Sequence, residues 1–305
     1  MSELIRGLVP VAPTVFTDSE DLDLAGQRRV VDFLVDGGSA AICVLANYSE
    51  QFSLTDEERD EVLTATVYQA SGRVPVWAAT SHYSARVAAH RSRRAQDQGA
   101  NLVMLMPPFF GASMTVDEAG ILDFFTHVAD SIDIPIMIQD APMSPTSLSV
   151  ALLSRLAREI PQLLYAKVEV PRTADKIRAL VDLAGDSLPG LYDGEEAVTL
   201  IPDLRAGAQG AMSSAMVPEV LSEVVRLFHC GDHAGAEAAW ERILPLIHFE
   251  NRQCGLRATK ILMKEGGIIS SDVSRAPLED VGPHSRRQLI ELARRKGALV
   301  LRWAR

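Results

Sequence analysis

The stretch Leu163-Leu164-Tyr165-Ala166-Lys167-Val168-Glu169-Val170 reads as a buried strand, yet it carries a lysine and, two places later, a glutamate. In a strand, residues i and i+2 point to the same face. Lys167 and Glu169 therefore share one side of whatever this strand builds. Two ionisable groups on an otherwise apolar strand are costly to bury unless they pair or act. The position of this strand in the order of elements decides what they can do.

Working outward, short apolar runs alternate with longer amphipathic stretches. Strand-like runs fall at 7–16, 41–46, 75–80, 102–106, 134–138, 164–170, 188–192 and 210–213. Helical periodicity falls near 24–36, 55–70, 84–98, 115–131, 149–160, 173–184, 195–206 and 216–229. Capping signals mark several starts: Ser53 and Thr55 before Asp56-Glu57-Glu58, and Thr115 before Asp117-Glu118. A series of strand-then-helix units of this kind predicts an α/β fold, a (β/α)8 TIM barrel, with Lys167 on its sixth strand. No G-x-G-x-x-G or Walker pattern follows an early strand, which disfavours a doubly wound nucleotide-binding sheet. After residue 230 the pattern is helical only, near 234–249, 253–265 and 284–297. The expectation is a barrel over 1–230 and a C-terminal helical extension over 231–305, packed on it as one structural domain.

Composition narrows the class. The 305 residues are 47% hydrophobic and carry a net charge of −10, which opposes non-specific nucleic-acid binding. Arg91, Arg93 and Arg94 fit a solvated helix face. The N-terminus lacks the basic start and apolar core of a signal peptide, and no apolar run approaches a membrane span. Cys43, Cys230 and Cys254 are scattered and odd in number, as in a reduced cytoplasmic protein without a disulfide framework or zinc site.

In such barrels, functional groups sit at the C-terminal ends of the strands. That rule selects Asn47, Tyr48, Ser49 and Glu50; Thr80, Ser81, His82 and Tyr83; residues 107–110; Gln139, Asp140 and Pro142; Lys167 and Glu169; Asp193, Glu195 and Glu196; and Ser213 and Ser214. Of the five lysines, four fall in predicted helices; only Lys167 falls in a strand. Burial lowers a lysine's pKa and supplies the neutral amine that forms a Schiff base with a carbonyl. A lysine merely paired with Glu169 at a strand end gives the same pattern. His82 fits a hydroxyl ligand or a structural hydrogen-bonder. Asp193 and Ser213 fit substrate-orienting groups. Glu195 and Glu196 fit the first turn of a helix, and Glu250-Asn251-Arg252 fits tail packing.

The barrel rhythm, the strand-6 lysine and the helical tail resemble the dihydrodipicolinate synthase/N-acetylneuraminate lyase family of class I aldolases. Val44-Leu45-Ala46-Asn47-Tyr48-Ser49-Glu50 stands where that family has its loop for the keto-acid carboxylate. The resemblance implies that Asn47 and Tyr48 hold the carboxylate and that Lys167 forms the Schiff base. It also implies a homo-oligomer, a tetramer, acting on a small-molecule 2-keto acid, with no nucleic-acid or membrane partner. No metal or cofactor is implied, because the imine does the polarising.

The departures matter as much. The family's relay tyrosines are replaced by Gln139 after strand 5 and by Phe109 and Phe110 after strand 4. Neither Gln nor Phe is a general acid or base. The synthase's dicarboxylate-gripping arginine is missing near Ser144, so dihydrodipicolinate synthesis is not expected. Glu169 fills the vacancy: a partly desolvated carboxyl there can take a C3 proton and then protonate the C4 hydroxyl. A dehydratase subgroup acting on 2-keto-3-deoxy-L-arabonate shares five blocks with this chain. They are Ala46-Asn47-Tyr48-Ser49-Glu50-Gln51-Phe52, Ile138-Gln139-Asp140-Ala141-Pro142, Lys167-Val168-Glu169-Val170-Pro171, Asp193-Gly194-Glu195-Glu196 and Glu250-Asn251-Arg252-Gln253-Cys254-Gly255. The alternatives are a retro-aldol lyase giving pyruvate plus an aldehyde, and a non-catalytic keto-acid-binding barrel.

Overall fold

In the computed structural model, which describes residues 4–109, 116–146 and 148–304, the lysine-bearing stretch is a strand, Leu163–Val168. It is the sixth of eight parallel strands: β1 (Gly7–Leu8), β2 (Ile42–Val44), β3 (Val76–Ala79), β4 (Leu102–Leu105), β5 (Ile136–Asp140), β6 (Leu163–Val168), β7 (Gly190–Asp193) and β8 (Gly210–Ala211). The sheet order is β1-β8-β7-β6-β5-β4-β3-β2. Its two ends also meet. Ala40 N donates to Leu8 O at 2.8 Å, Cys43 N to Pro10 O at 3.0 Å and Ala12 N to Cys43 O at 2.8 Å. The sheet therefore closes on itself. Prolines 10 and 13 lack N–H groups, which accounts for a first strand much shorter than the 7–16 run suggests.

Helices follow the strands: α1 (Leu24–Asp36), α2 (Asp56–Ala70), α3 (Ala85–Asp97), α4 (Glu118–Ala129), α5 (Val150–Glu159), α6 (Thr173–Ala184), α7 (Leu200–Ala206) and α8 (Pro218–His229). Thr55 caps α2 through a capping box with Glu58. Asp117, not Thr115, caps α4; Thr115 lies outside the described residues. The largest departure is α7. It starts at Leu200 instead of 195, because Glu196 and Ala197 adopt left-handed φ values of 53° and 67°. Beyond the barrel lie α9 (His233–Phe249), a π-turn (Glu250–Cys254), α10 (Arg257–Glu265) and α11 (Pro283–Lys296). Among the described residues, no helix is long and apolar enough to cross a membrane.

Strand alternation sorts side chains into two cores. One lies between sheet and helices and includes Ile138, Ala166, Val168, Leu191 and Ala211. The other fills the lumen with Cys43, Trp77, Met104, Met137, Tyr165, Tyr192 and Met212. Trp77 packs 5.5 Å from Tyr165 and 5.7 Å from Tyr192, ring centre to ring centre. Below them the Tyr192 hydroxyl donates to Ile5 O at 2.6 Å. The lumen thus has an aromatic floor, and only its upper, C-terminal end is left for polar chemistry.

The last helices are tied to the loop after β2. Lys260 and Glu50, each with a side chain 1% exposed, form an ion pair. Lys260 also donates to Val273 O at 2.8 Å, and Arg275 N to Glu50 Oε2 at 2.9 Å. The Lys260 ammonium and the Arg275 guanidinium lie 4.5 Å and 4.4 Å from the centre of the Phe16 ring. Glu50 itself is left-handed, at φ 57°, between two short 3-10 turns, Asn47–Ser49 and Gln51–Ser53.

Candidate active site

Tyr165 belongs to the lumen core, so Lys167 two residues on also faces inward, while Ala166 and Val168 face the helices. Lys167 is 4% exposed and forms an ion pair with Glu169. β5 aligns Gln139 with Lys167, and Gln139 Nε2 donates to Glu169 Oε1 at 3.0 Å. The other amide atom, Gln139 Oε1, is buried without a partner. Gly194, just past β7, leaves the room this cluster occupies. A Cβ there would stand 2.4 Å from Glu169 Cγ and 2.8 Å from Lys167 Cγ.

Burial pushes the Lys167 pKa down, but the charges of Glu169 and Glu196 outweigh it and hold the ammonium above its ordinary value. This corrects the expectation of a neutral resting amine. The resting group is an ammonium in contact with Glu169. Cys43 faces the same lumen; burial pushes its thiol up to about 12, so it stays protonated beneath the lysine.

Glu196 is the residue the sequence reading passed over. A helix N-terminus was expected there; the left-handed turn swings its carboxyl inside, where it is 7% exposed and accepts from the Ser214 backbone N–H. Burial raises its pKa well above the ordinary range, and Glu250 raises it further while Lys167 pulls it back. No local pattern distinguishes Asp193-Gly194-Glu195-Glu196 from an ordinary acidic helix start. The signal lies in consecutive left-handed residues, which only the backbone reveals.

The other expected residues scatter. Tyr48 is half-buried against the lumen core. Its hydroxyl is held protonated by burial and by the charges of Glu196, Glu250 and Glu169. Asn47 Oδ1 accepts from Gln51 Nε2 at 2.5 Å, and Asn47 Nδ2 lies 3.9 Å from Met106 Sδ. His82 lies at the rim, its Nδ1 accepting from Ser84 N at 3.0 Å. It lines a cleft of about 340 Å³ with Ser81, Met106 and Phe109. Phe110 lies outside the described residues.

Two of the expected residues take partners other than Lys167. Asp193 alternates with the lumen-facing Tyr192 and turns outward to Asp203 on α7. Both carboxyls are raised, chiefly by burial, Asp203 to about 6. Asp193 thus stands against Asp203, and Glu196 also acts on its carboxyl. The Ser213 hydroxyl donates to Ser214 O at 3.1 Å. Ser214, one residue on, is the serine that joins the Glu196 cluster.

A closed parallel barrel, with a buried lysine–carboxylate pair at the C-terminal mouth of its sixth strand, defines the class of protein. The chain belongs to the Dihydrodipicolinate synthetase family, which it matches over residues 4–296. It is 51% identical over 300 residues to the L-2-keto-3-deoxyarabonate dehydratase of Azospirillum brasilense, covering 98% of this chain and 97% of that one. To the 4-hydroxy-tetrahydrodipicolinate synthase of Methylococcus capsulatus it is 27% identical, over 97% and 100% of the two chains. The structure of dihydrodipicolinate synthase from Aquifex aeolicus superposes with a TM-score of 0.90 at 25% identity, covering 96% of this chain and 98% of that one.

Proposed function

We infer that the protein is a Schiff-base dehydratase that converts 2-keto-3-deoxy-L-arabonate to 2-oxoglutarate semialdehyde and water. The observation that carries this reading is the likeness, along nearly the whole chain, to the Azospirillum brasilense dehydratase. The contact between Lys167 and Glu169 supplies the chemistry.

Lys167 gives its proton to Glu169, and the free amine attacks the C2 ketone. Glu169 returns that proton to the carbinolamine hydroxyl, which leaves as water and yields a protonated imine. The imine acidifies C3, and Glu169, again a carboxylate, removes a C3 proton to form an enamine. The enamine expels the C4 hydroxyl, which takes a proton from Glu196 and departs as water. Glu196 then removes a proton from C5, Glu169 returns its own to C3, and the resulting enol tautomerises to the aldehyde. Hydrolysis of the imine frees Lys167 with both carboxyls reset. Splitting the work between two carboxyls refines the single-residue scheme suggested by sequence. Gln139 Nε2 orients Glu169, and its unpartnered Oε1 is the natural acceptor for a substrate hydroxyl. Asn47 and Tyr48 open a helical turn whose first N–H groups have no partner within the turn, which suits the substrate carboxylate. His82 stands where the distal hydroxyl would enter.

We read residues 1–230 as the barrel and 231–305 as a helical extension of the same domain, supported by the Lys260–Glu50 pair. A cytoplasmic homotetramer completes the reading. Incubation with 2-keto-3-deoxy-L-arabonate tests it: 2-oxoglutarate semialdehyde is the expected product. Pyruvate plus glycolaldehyde would assign the retro-aldol reaction instead, and no conversion with retained binding would assign the non-catalytic alternative.

A further inference from the structure

Glu250 belongs to the helices beyond the barrel, yet it reaches the lumen. It opens the π-turn Glu250–Cys254 and is 1% exposed. The Ser214 hydroxyl donates to Glu250 Oε2 at 2.9 Å, and the Thr259 hydroxyl stands 3.5 Å from Oε1. The backbone N–H of the same Ser214 donates to Glu196. One serine therefore bridges two buried carboxyls, one on the barrel and one on the tail. A π-turn in a helical segment is uncommon and often marks a functional position.

We propose that Glu250 is a positioning residue for the dehydration: through Ser214 it holds Glu196 toward the lumen and keeps a proton on it. The proposal rests on the dehydratase reading. Its physical basis is that two carboxylates in one water-poor pocket do not both ionise readily. The groups around the pair are Lys167 on β6, Glu169 just past it, the Tyr48 hydroxyl, Asp193 on β7 and Cys254 on the π-turn. Among these Lys167 alone is cationic, and Glu169 already pairs with it. Burial raises Glu250 itself to about 8, and its charge in turn raises Glu196. A protonated Glu196 is the donor the departing hydroxyl needs; without Glu250 it would ionise earlier.

The test is the pH dependence of kcat for the native enzyme and Glu250→Gln, with 2-keto-3-deoxy-L-arabonate as substrate. Removing the Glu250 charge lowers the Glu196 pKa, so the alkaline fall in kcat should move down by ~1 pH unit or more. KM and the kcat plateau below that limb should stay within about threefold of native, as fits a group that does not touch substrate. Ser214→Ala, a smaller change, should move the limb the same way: Glu250 without its hydroxyl donor takes up a proton and no longer repels an ionised Glu196. An unmoved limb in both variants, or a loss of kcat equal at every pH, would overturn the proposal. Carbon-13 NMR of glutamate carboxyls in substrate-free protein, assigned with Glu196→Gln, separates this from the functional reading. If the native protein dehydrates nothing, the dehydratase reading falls; if Glu196 titrates at the same pH with and without Glu250, the positioning claim falls.

Discussion

Gly194 lies directly against Lys167: a Cβ on the glycine would stand 2.8 Å from Lys167 Cγ and 3.0 Å from Lys167 Cε. Absence of a side chain on one strand thus fixes where the amine on the next can stand. Gly194→Ala should displace both Lys167 and Glu169 while leaving the outer core untouched. A displacement of about 1 Å can cost roughly 100-fold in rate. We expect kcat/KM to fall by that order with little change in the melting temperature; a rate within a few-fold of native would show that the pair tolerates movement.

Glu169 raises the Lys167 pKa, whereas burial lowers it. In Glu169→Gln the burial effect is left less opposed, so the resting amine should become neutral at lower pH. The midpoint of pH-dependent borohydride trapping with pyruvate should therefore move down. Dehydration itself should slow by about 10²–10⁴-fold, the usual contribution of a general acid–base group. Trapping with an unshifted midpoint would show that the glutamate does not govern the lysine's proton.

Lys260 and Glu50 are both buried, and neither has solvent to fall back on. Lys260→Ala leaves an unpaired buried carboxylate and should destabilise the fold by roughly 3–5 kcal/mol. The Asn47–Tyr48 turn should loosen with it, raising KM more than it lowers kcat. Denaturant unfolding combined with steady-state kinetics checks both parts.

Asp193 and Asp203 make the opposite case, a buried pair of like groups, acid against acid. Asp203, raised to about 6, holds its proton more tightly when folded than when unfolded. Ionising it therefore lowers stability as pH rises from about 4 to 6. Asp193 is raised as well and adds its own loss of stability as pH rises; Asp193→Asn removes that contribution while keeping a hydrogen-bonding group beside Asp203. It should flatten that pH dependence, raise stability at pH 7 by roughly 1–2 kcal/mol and leave kcat/KM within about threefold of native. A large loss of activity would return Asp193 to the site.

The parts legible in sequence are those set by regular alternation. Lys167 and Glu169 share a face because strand periodicity is two, and Gln139 reaches them because parallel strands keep register. Parity says least where strands are short: β8 spans only Gly210–Ala211, and of the two serine candidates that follow it Ser214 is the one bonded to Glu250. For Asp193, a place at a strand end says nothing about which way the side chain turns, and its partner Asp203 on α7 is visible only in the fold. Glu196 and Glu250 were hidden for another reason. Their burial depends on a left-handed turn and on a π-turn, and both interrupt the periodicity that sequence reading relies on.

The central claim is that Lys167 carries the substrate through loss of water. Borohydride reduction during turnover of 2-keto-3-deoxy-L-arabonate, followed by peptide mass spectrometry, tests it most directly. The account predicts an adduct on Lys167, including a population lighter than the reduced substrate imine by one water. An adduct confined to another residue, or a Lys167 adduct of pyruvate alone, would contradict it.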